Sequence, residues 1–103
     1  MFKKPDPLLH NPVRLAVMAH LVARQKSDFK ELRKITGATA GNLSVQLKKL
    51  EAAGMLRIHK GYKNNYPHTS VELTSRGLNA FENYVRVMSD YLNAVRRTPP
   101  GSE

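Results

Sequence analysis

Cysteine and tryptophan are absent from this chain of 103 residues. Without a thiol there is no disulfide, no thiolate nucleophile and no cysteine-ligated zinc, and a reducing compartment such as the cytoplasm is the expected setting. Long apolar runs are also missing, so no transmembrane helix is expected. The opening "MFKKPDPLLHNPVR" has charge but no apolar core before a cleavage site, so it is not expected to act as a secretory signal. The four histidines, His10, His20, His59 and His68, lack metal-ligand spacing. Asp28 and Glu31 read as surface partners of basic neighbours, and no glycine-rich loop joins a strand to a helix. No enzyme, metal or cofactor is therefore expected. Acidic residues are few: eight, against seventeen Lys and Arg, for a formal charge of +9. That excess favours an anionic partner, nucleic acid before membrane surface.

The 41% hydrophobic content and the length suit one compact domain. A loose start is expected over 1–5, one domain over 6–97 and a flexible tail over 98–103. "DPLLH" is expected to form a short helical turn capped by Asp6. "NPVRLAVMAHLVARQ" is a helix starting at Asn11 and Pro12, with Leu15, Met18, Ala19 and Val22 as its buried stripe. "SDFKELRKITG" is a second, capped by Ser27, facing Phe29, Leu32 and Ile35 inward and stopped by Gly37. Thr39 caps a third, which Gly54 ends. "MLRIHK" and "HTSVELT" alternate with period two, as strands joined through "GYKNNYP" in a hairpin with a long tip. Thr74 caps a last helix over 75–97. The order is mainly α with a small β-hairpin (α+β): a winged helix-turn-helix with a long C-terminal helix.

The third helix has an unusual face. An α-helix advances about 100° per residue, so Leu43, Leu47 and Leu50 share one side. The other carries Gly41, Asn42, Val45, Lys48 and Lys49, with Ser44 and Gln46 at its margins. Short side chains permit close approach, an amide can pair with an adenine edge, and a valine can meet a thymine methyl. The lysines lie where a helix in the major groove meets phosphate. Together with Thr39 these residues are the expected recognition surface. Arg57, Lys60, Lys63, Asn64, Asn65 and Tyr66 form an expected basic wing that tracks backbone or enters a minor groove.

In the last helix Leu78, Phe81, Val85, Met88, Leu92 and Val95 follow heptad spacing, flanked by Tyr84 and Tyr91. About 22 residues at 1.5 Å each span roughly 33 Å, longer than so small a domain requires. The surplus is expected to pair with a second copy through Tyr84, Met88, Tyr91, Leu92 and Val95, joined by Val17 and Leu21 of the first helix.

The stretches "NPVRL", "DFKELRKITGATAGNLSVQLKKLEAAGML" and "ELTSRG" resemble small stand-alone winged-helix transcriptional regulators close to the MarR and ArsR groups. The resemblance spans nearly the whole chain. It implies a dimeric, cytoplasmic, prokaryotic regulator that binds double-stranded DNA, with Thr39 to Lys49 as recognition helix and Arg57 to His68 as wing region. Gln46 stands where such regulators often carry histidine, which bears on the sequence recognised. Sequence-specific duplex binding by a homodimer, as a repressor, is the leading expectation. A winged helix acting as a protein-interaction module is the alternative, because a scaffold does not dictate function. Neither the operator nor a small-molecule effector can be read from these residues.

Overall fold

The computed structural model describes residues 2–97. The expected tail at 98–103 lies outside them. The described residues form four helices and one three-stranded antiparallel sheet: α1 (Pro12–Arg24), β1 (Lys26–Asp28), α2 (Phe29–Thr36), α3 (Ala40–Ala52), β2 (Leu56–Lys63), β3 (Tyr66–Leu73) and α4 (Ser75–Arg97). No helix among them is long and apolar enough to cross a membrane.

Local chemistry sets the helix starts. The Asn11 side chain accepts from the Arg14 N–H at 3.0 Å, with Pro12 pre-shaped for the first turn. Thr39 Oγ1 accepts from the Asn42 N–H at 3.1 Å, and Thr74 Oγ1 from the Gly77 N–H at 3.0 Å. Before α1, Asp6 closes a helical turn, its carboxylate accepting from Leu8 N at 3.0 Å. The α2–α3 link needs a left-handed residue, and Gly37 supplies it at φ +68°.

One start differs from expectation. Asp28, not Ser27, caps α2, accepting from Glu31 N at 2.7 Å. Ser27 is buried in β1, opposite Val71 of β3, and donates to Glu31 Oε2 at 3.0 Å. Sheet order is β1–β3–β2, with Ile58 opposite Val71 and Lys63 opposite Tyr66. The hairpin is tighter than "GYKNNYP" suggested. Asn64 and Asn65 take φ of +52° and +65°, making a two-residue turn whose twist matches the strands, so both strands run to the tip. Pro67 is tolerated because β1 pairs with β3 only at Ser70–Glu72, leaving one edge of β3 open beyond.

The core gathers Leu9, Val17, Met18, Leu21, Leu32, Leu43, Leu47, Leu50, Leu56 and Val71. Each buried aliphatic side chain contributes about 1.5–3 kcal/mol over its exposed state. In α1 the buried stripe is Val17, Met18 and Leu21, whereas Ala19 is exposed and Leu15 and Val22 are half-buried. The buried face of α1 thus lies part of a turn away from the expected stripe, because this helix packs on α2, α3 and α4 at once. Val17 and Leu21 have no exposed surface and cannot join an interface with a second copy. Ile35 is exposed: three-residue spacing from Phe29 through Leu32 carries it about 120° round the helix.

Along α4, Tyr84 and Val87 are buried, while Leu78, Phe81 and Met88 are half-buried. The residues before α1 cover its tyrosine side. His10 Nδ1 lies 2.8 Å from Tyr84 Oη, Tyr91 Oη donates to the Lys3 carbonyl at 2.8 Å, and the Phe2 and Tyr91 rings stack with centroids 4.6 Å apart. What remains open on α4 is Val85, Leu92 and Val95.

Candidate nucleic-acid interface

Leu43, Leu47 and Leu50 anchor α3, and the opposite side faces out as helical geometry requires. Gly41, Asn42, Lys48 and Lys49 are exposed, and the apolar Val45 is 50% exposed. A Cβ at Gly41 would meet nothing within 4 Å, so this glycine leaves space for an approaching surface and is not required by internal packing. Ser44 and Gln46 are half-buried. Gln46 Nε2 donates to Asn42 Oδ1 at 2.9 Å, and Gln46 Oε1 accepts from Arg14 of α1.

The wing stands beside this helix. Alternation along β2 puts Leu56, Ile58, Lys60 and Tyr62 on one face, with Leu73, Val71, Thr69 and Pro67 opposite them on β3. The inner end of that face enters the core and its outer end continues past α3. Ser44 and Lys48 of α3 line one cleft with Lys60 and Thr69 of the hairpin. Cations of α3 and of the hairpin thus border a single recess. Lys63 and Tyr66 lie on the other face of the ribbon, next to the Asn64–Asn65 turn. Arg57 shares that other face but sits at the wing root opposite Glu72, which sets it apart from Lys60.

Carboxylates do not neutralise this surface. The three ion pairs among the described residues all use histidine: His20 with Glu31 at 3.5 Å, His59 with Glu72 at 3.1 Å and His68 with Asp28 at 3.6 Å. Glu51 accepts from the Ile58 N–H at 2.9 Å and so ties α3 to the wing root. The Asp28 carboxyl is held below its usual range, chiefly by the Glu31 N–H it caps and then by His68. His59 does the same for Glu72. None of the ion pairs among the described residues uses a lysine of α3 or the wing, although the Lys63 charge does act on Asp28.

Exposed basic and aromatic side chains extend beyond the residues singled out from sequence. Lys30, Arg33 and Lys34 of α2 border an open groove with Gly37 and Ala38, on the helix preceding α3. Their signal was present in "FKELRK". Tyr62 is 80% exposed, more than Tyr66 at 74%, and shares the ribbon face of Lys60. Period two from Lys60 would have found it. Among the described residues there is no cluster of three or more His, Asp or Glu side chains able to hold a metal ion.

A tri-helical core, a tight link between α2 and α3, and a hairpin beside α3 define the winged-helix class. The model of the winged helix DNA-binding domain family matches residues 13–92, and the chain belongs to that family. An uncharacterized protein of Methanocaldococcus jannaschii is 31% identical over 78 residues, covering 76% of this chain and 85% of the relative. A transcriptional regulator homologue from Pyrococcus horikoshii OT3 superposes with a TM-score of 0.79 at 30% identity, over 85% of this chain and 87% of the other. An ArsR family transcriptional regulator shares the fold, with a TM-score of 0.58 at 18% identity over 90% of this chain and 97% of the other.

Proposed function

We propose that this chain is a sequence-specific double-stranded DNA-binding transcriptional regulator, with α3 in the major groove and the β2–β3 wing along the adjoining backbone or minor groove. The observation that carries this reading is the cleft in which Ser44 and Lys48 of α3 meet Lys60 and Thr69 of the wing. One duplex can reach both sets of cations at once. Gly41, Asn42, Ser44, Val45 and Gln46 face the bases; Lys48, Lys49, Lys60 and Lys63 neutralise phosphates. The Pyrococcus structure, a transcriptional regulator homologue, supports the regulatory assignment.

The active unit of this proposal is a homodimer. Leu92 and Val95 on α4 are 58% and 71% exposed, and Val85 continues their line. A second copy of the same stripe would cover them, with Met88 at the margin. Tyr84 and Tyr91 support the seam from behind, through the residues preceding α1. Two domains of this size on one site act most simply by excluding other proteins from it, which is repression. The matches in Methanocaldococcus jannaschii and Pyrococcus horikoshii accord with a prokaryotic source.

Selection from a random duplex pool tests this, with complex stoichiometry measured on the enriched sequences. The expected outcome is an inverted repeat, half-sites about one helical turn apart, bound by two chains. Salt-sensitive binding without enrichment, by a monomer, would reject it and favour a protein partner for α4.

A further inference from the structure

Three open grooves on the described surface run into one another. The first is the cleft in which Ser44 and Lys48 of α3 meet Lys60 and Thr69, with Phe29 beside them. The second shares Phe29 and Thr69 with it and adds Lys30, Lys63 and His68. The third shares Lys30 with the second and continues along α2, past Arg33 and Lys34 to Gly37 and Ala38, just ahead of α3. Lys30, Arg33 and Lys34 are exposed, and their spacing of three and four places them on one face of α2. This basic ridge thus joins the α3–wing cleft through shared side chains and runs from the wing to the start of α3.

Chemistry within the fold does not account for Lys30. It stands in the first turn of α2, at the positive end of the helix dipole, and one turn from Lys34, a like charge. Both placements are unfavourable. None of the ion pairs among the described residues uses Lys30, Arg33 or Lys34. The nearest acids in the chain turn elsewhere. Glu31 meets His20 and Ser27, while Asp28, which lines the second groove, caps Glu31 N and faces His68. Arg33 is held at the α2–α3 link: its Nε donates to the Ala38 carbonyl at 3.4 Å, leaving its terminal nitrogens for another acceptor. Resting on the DNA-binding reading above, we infer that the α2 ridge is a third phosphate contact, in which Lys30, Arg33 and Lys34 grip the backbone beside the groove that α3 enters. It sets affinity and reads no base, since phosphates carry no sequence information. Lys30 and Lys34 lie about 6 Å apart along the helix axis. One DNA strand presents a phosphate roughly every 3.4 Å of duplex axis, so the ridge matches a run of about two or three.

The test titrates the duplex that the wild type selects, between about 50 and about 200 mM salt, with Lys30→Ala, Arg33→Gln, Lys34→Ala and the triple variant. Glutamine keeps an N–H for the Ala38 carbonyl and removes the charge. Each single variant should lower the slope of log affinity against log salt by about 0.9 per bound chain. Over that roughly fourfold rise in salt, the triple variant should weaken about 40-fold less than the wild type per bound chain. Base preference, measured by selection, should be unchanged in every variant. Phosphate ethylation interference locates the contact: a short run of adjacent phosphates should interfere with the wild type but not with the triple variant, the rest of the pattern being retained. Lys30→Ala serves by itself if the triple variant does not fold. A wild-type salt slope in the triple variant or in Lys30→Ala, or an unchanged ethylation pattern in the triple variant, would overturn the inference while leaving DNA binding intact, and would assign the ridge to another partner such as an acidic protein segment. An altered base preference would overturn it too, because the ridge would then act by positioning α3. No enriched duplex for the wild type would overturn the DNA-binding reading itself, and this inference with it.

Discussion

Replacing Gly77 by alanine sets two effects against each other, and the structure decides which wins. In a helix interior, glycine to alanine normally stabilises by about 1 kcal/mol, because alanine surrenders less backbone freedom. Gly77 lies in the first turn of α4, packed on the junction between α3 and β2. A Cβ there would overlap the Met55 carbonyl, with its carbon at 2.9 Å and Leu73 Cδ1 at 3.0 Å. The obstructing group is backbone, and it is fixed: the Met55 carbonyl accepts from Thr74 N at 3.3 Å, and Thr74 Oγ1 donates to Gly54 O at 2.6 Å. Overpacking of this kind costs about 1–3 kcal/mol, more where backbone must move. Net destabilisation of about 1–2 kcal/mol is expected, and a domain of this size loses roughly 4–8 °C in melting temperature per kcal/mol. Thermal denaturation followed by far-UV circular dichroism measures it. A melting temperature equal to or above wild type would refute the close packing of α4 on Met55, and with it the geometry that places the wing root.

Leu92→Glu tests the proposed two-fold seam. Fully burying a leucine contributes about 1.5–3 kcal/mol, and the 58% exposed part of Leu92 accounts for about 1–1.7 of that per copy. Counted twice, the loss is about 2–3.5 kcal/mol, or roughly 30- to 300-fold in the dimer dissociation constant, by sedimentation equilibrium. The monomer's melting temperature should hardly change. Lys48→Ala and Lys60→Ala should each lower the slope of log affinity against log salt by about 1 in a duplex titration, with base preference retained. Asp28→Asn tests the acid limb of stability. The Asp28 carboxyl titrates lower in the folded chain than in the unfolded one, so its contribution is complete above the unfolded value near 3.9 and is lost as pH falls through the lowered folded value. Asparagine keeps a cap for Glu31 N, so the variant should be less stable than wild type at pH 5, and the difference should shrink as pH falls through the lowered folded value, in thermal melts.

Much of the architecture is legible because its signals are local. Asn11–Pro12, Thr39 and Thr74 start helices where a side-chain oxygen meets an orphan N–H, and Gly37 stops one in a conformation other residues avoid. The exposed side of α3 follows from three leucines at helical spacing. What escaped depends on partners distant in sequence. β1 has only three residues, too few to show alternation, and exists because β3 pairs with it. Ser27 and Asp28 are both good caps, and burial against Val71 decided between them. The buried face of α1 depends on the elements packing on it, and these enclose Val17 and Leu21, which periodicity alone leaves free for an outer interface. Tyr84 and Tyr91 look like seam residues by spacing, yet they meet His10 and Lys3, whose positions no periodicity in α4 encodes.

In the proposed function α3 and the wing form one DNA surface. Backbone amide chemical shifts of the labelled protein, recorded as a selected duplex is added, test it most directly. The largest changes are expected within Gly41–Lys49 and Lys60–Tyr66 together, with α4 from Val85 to Val95 little affected by the duplex itself. Changes concentrated on α4, or on the wing with α3 unmoved, would contradict it.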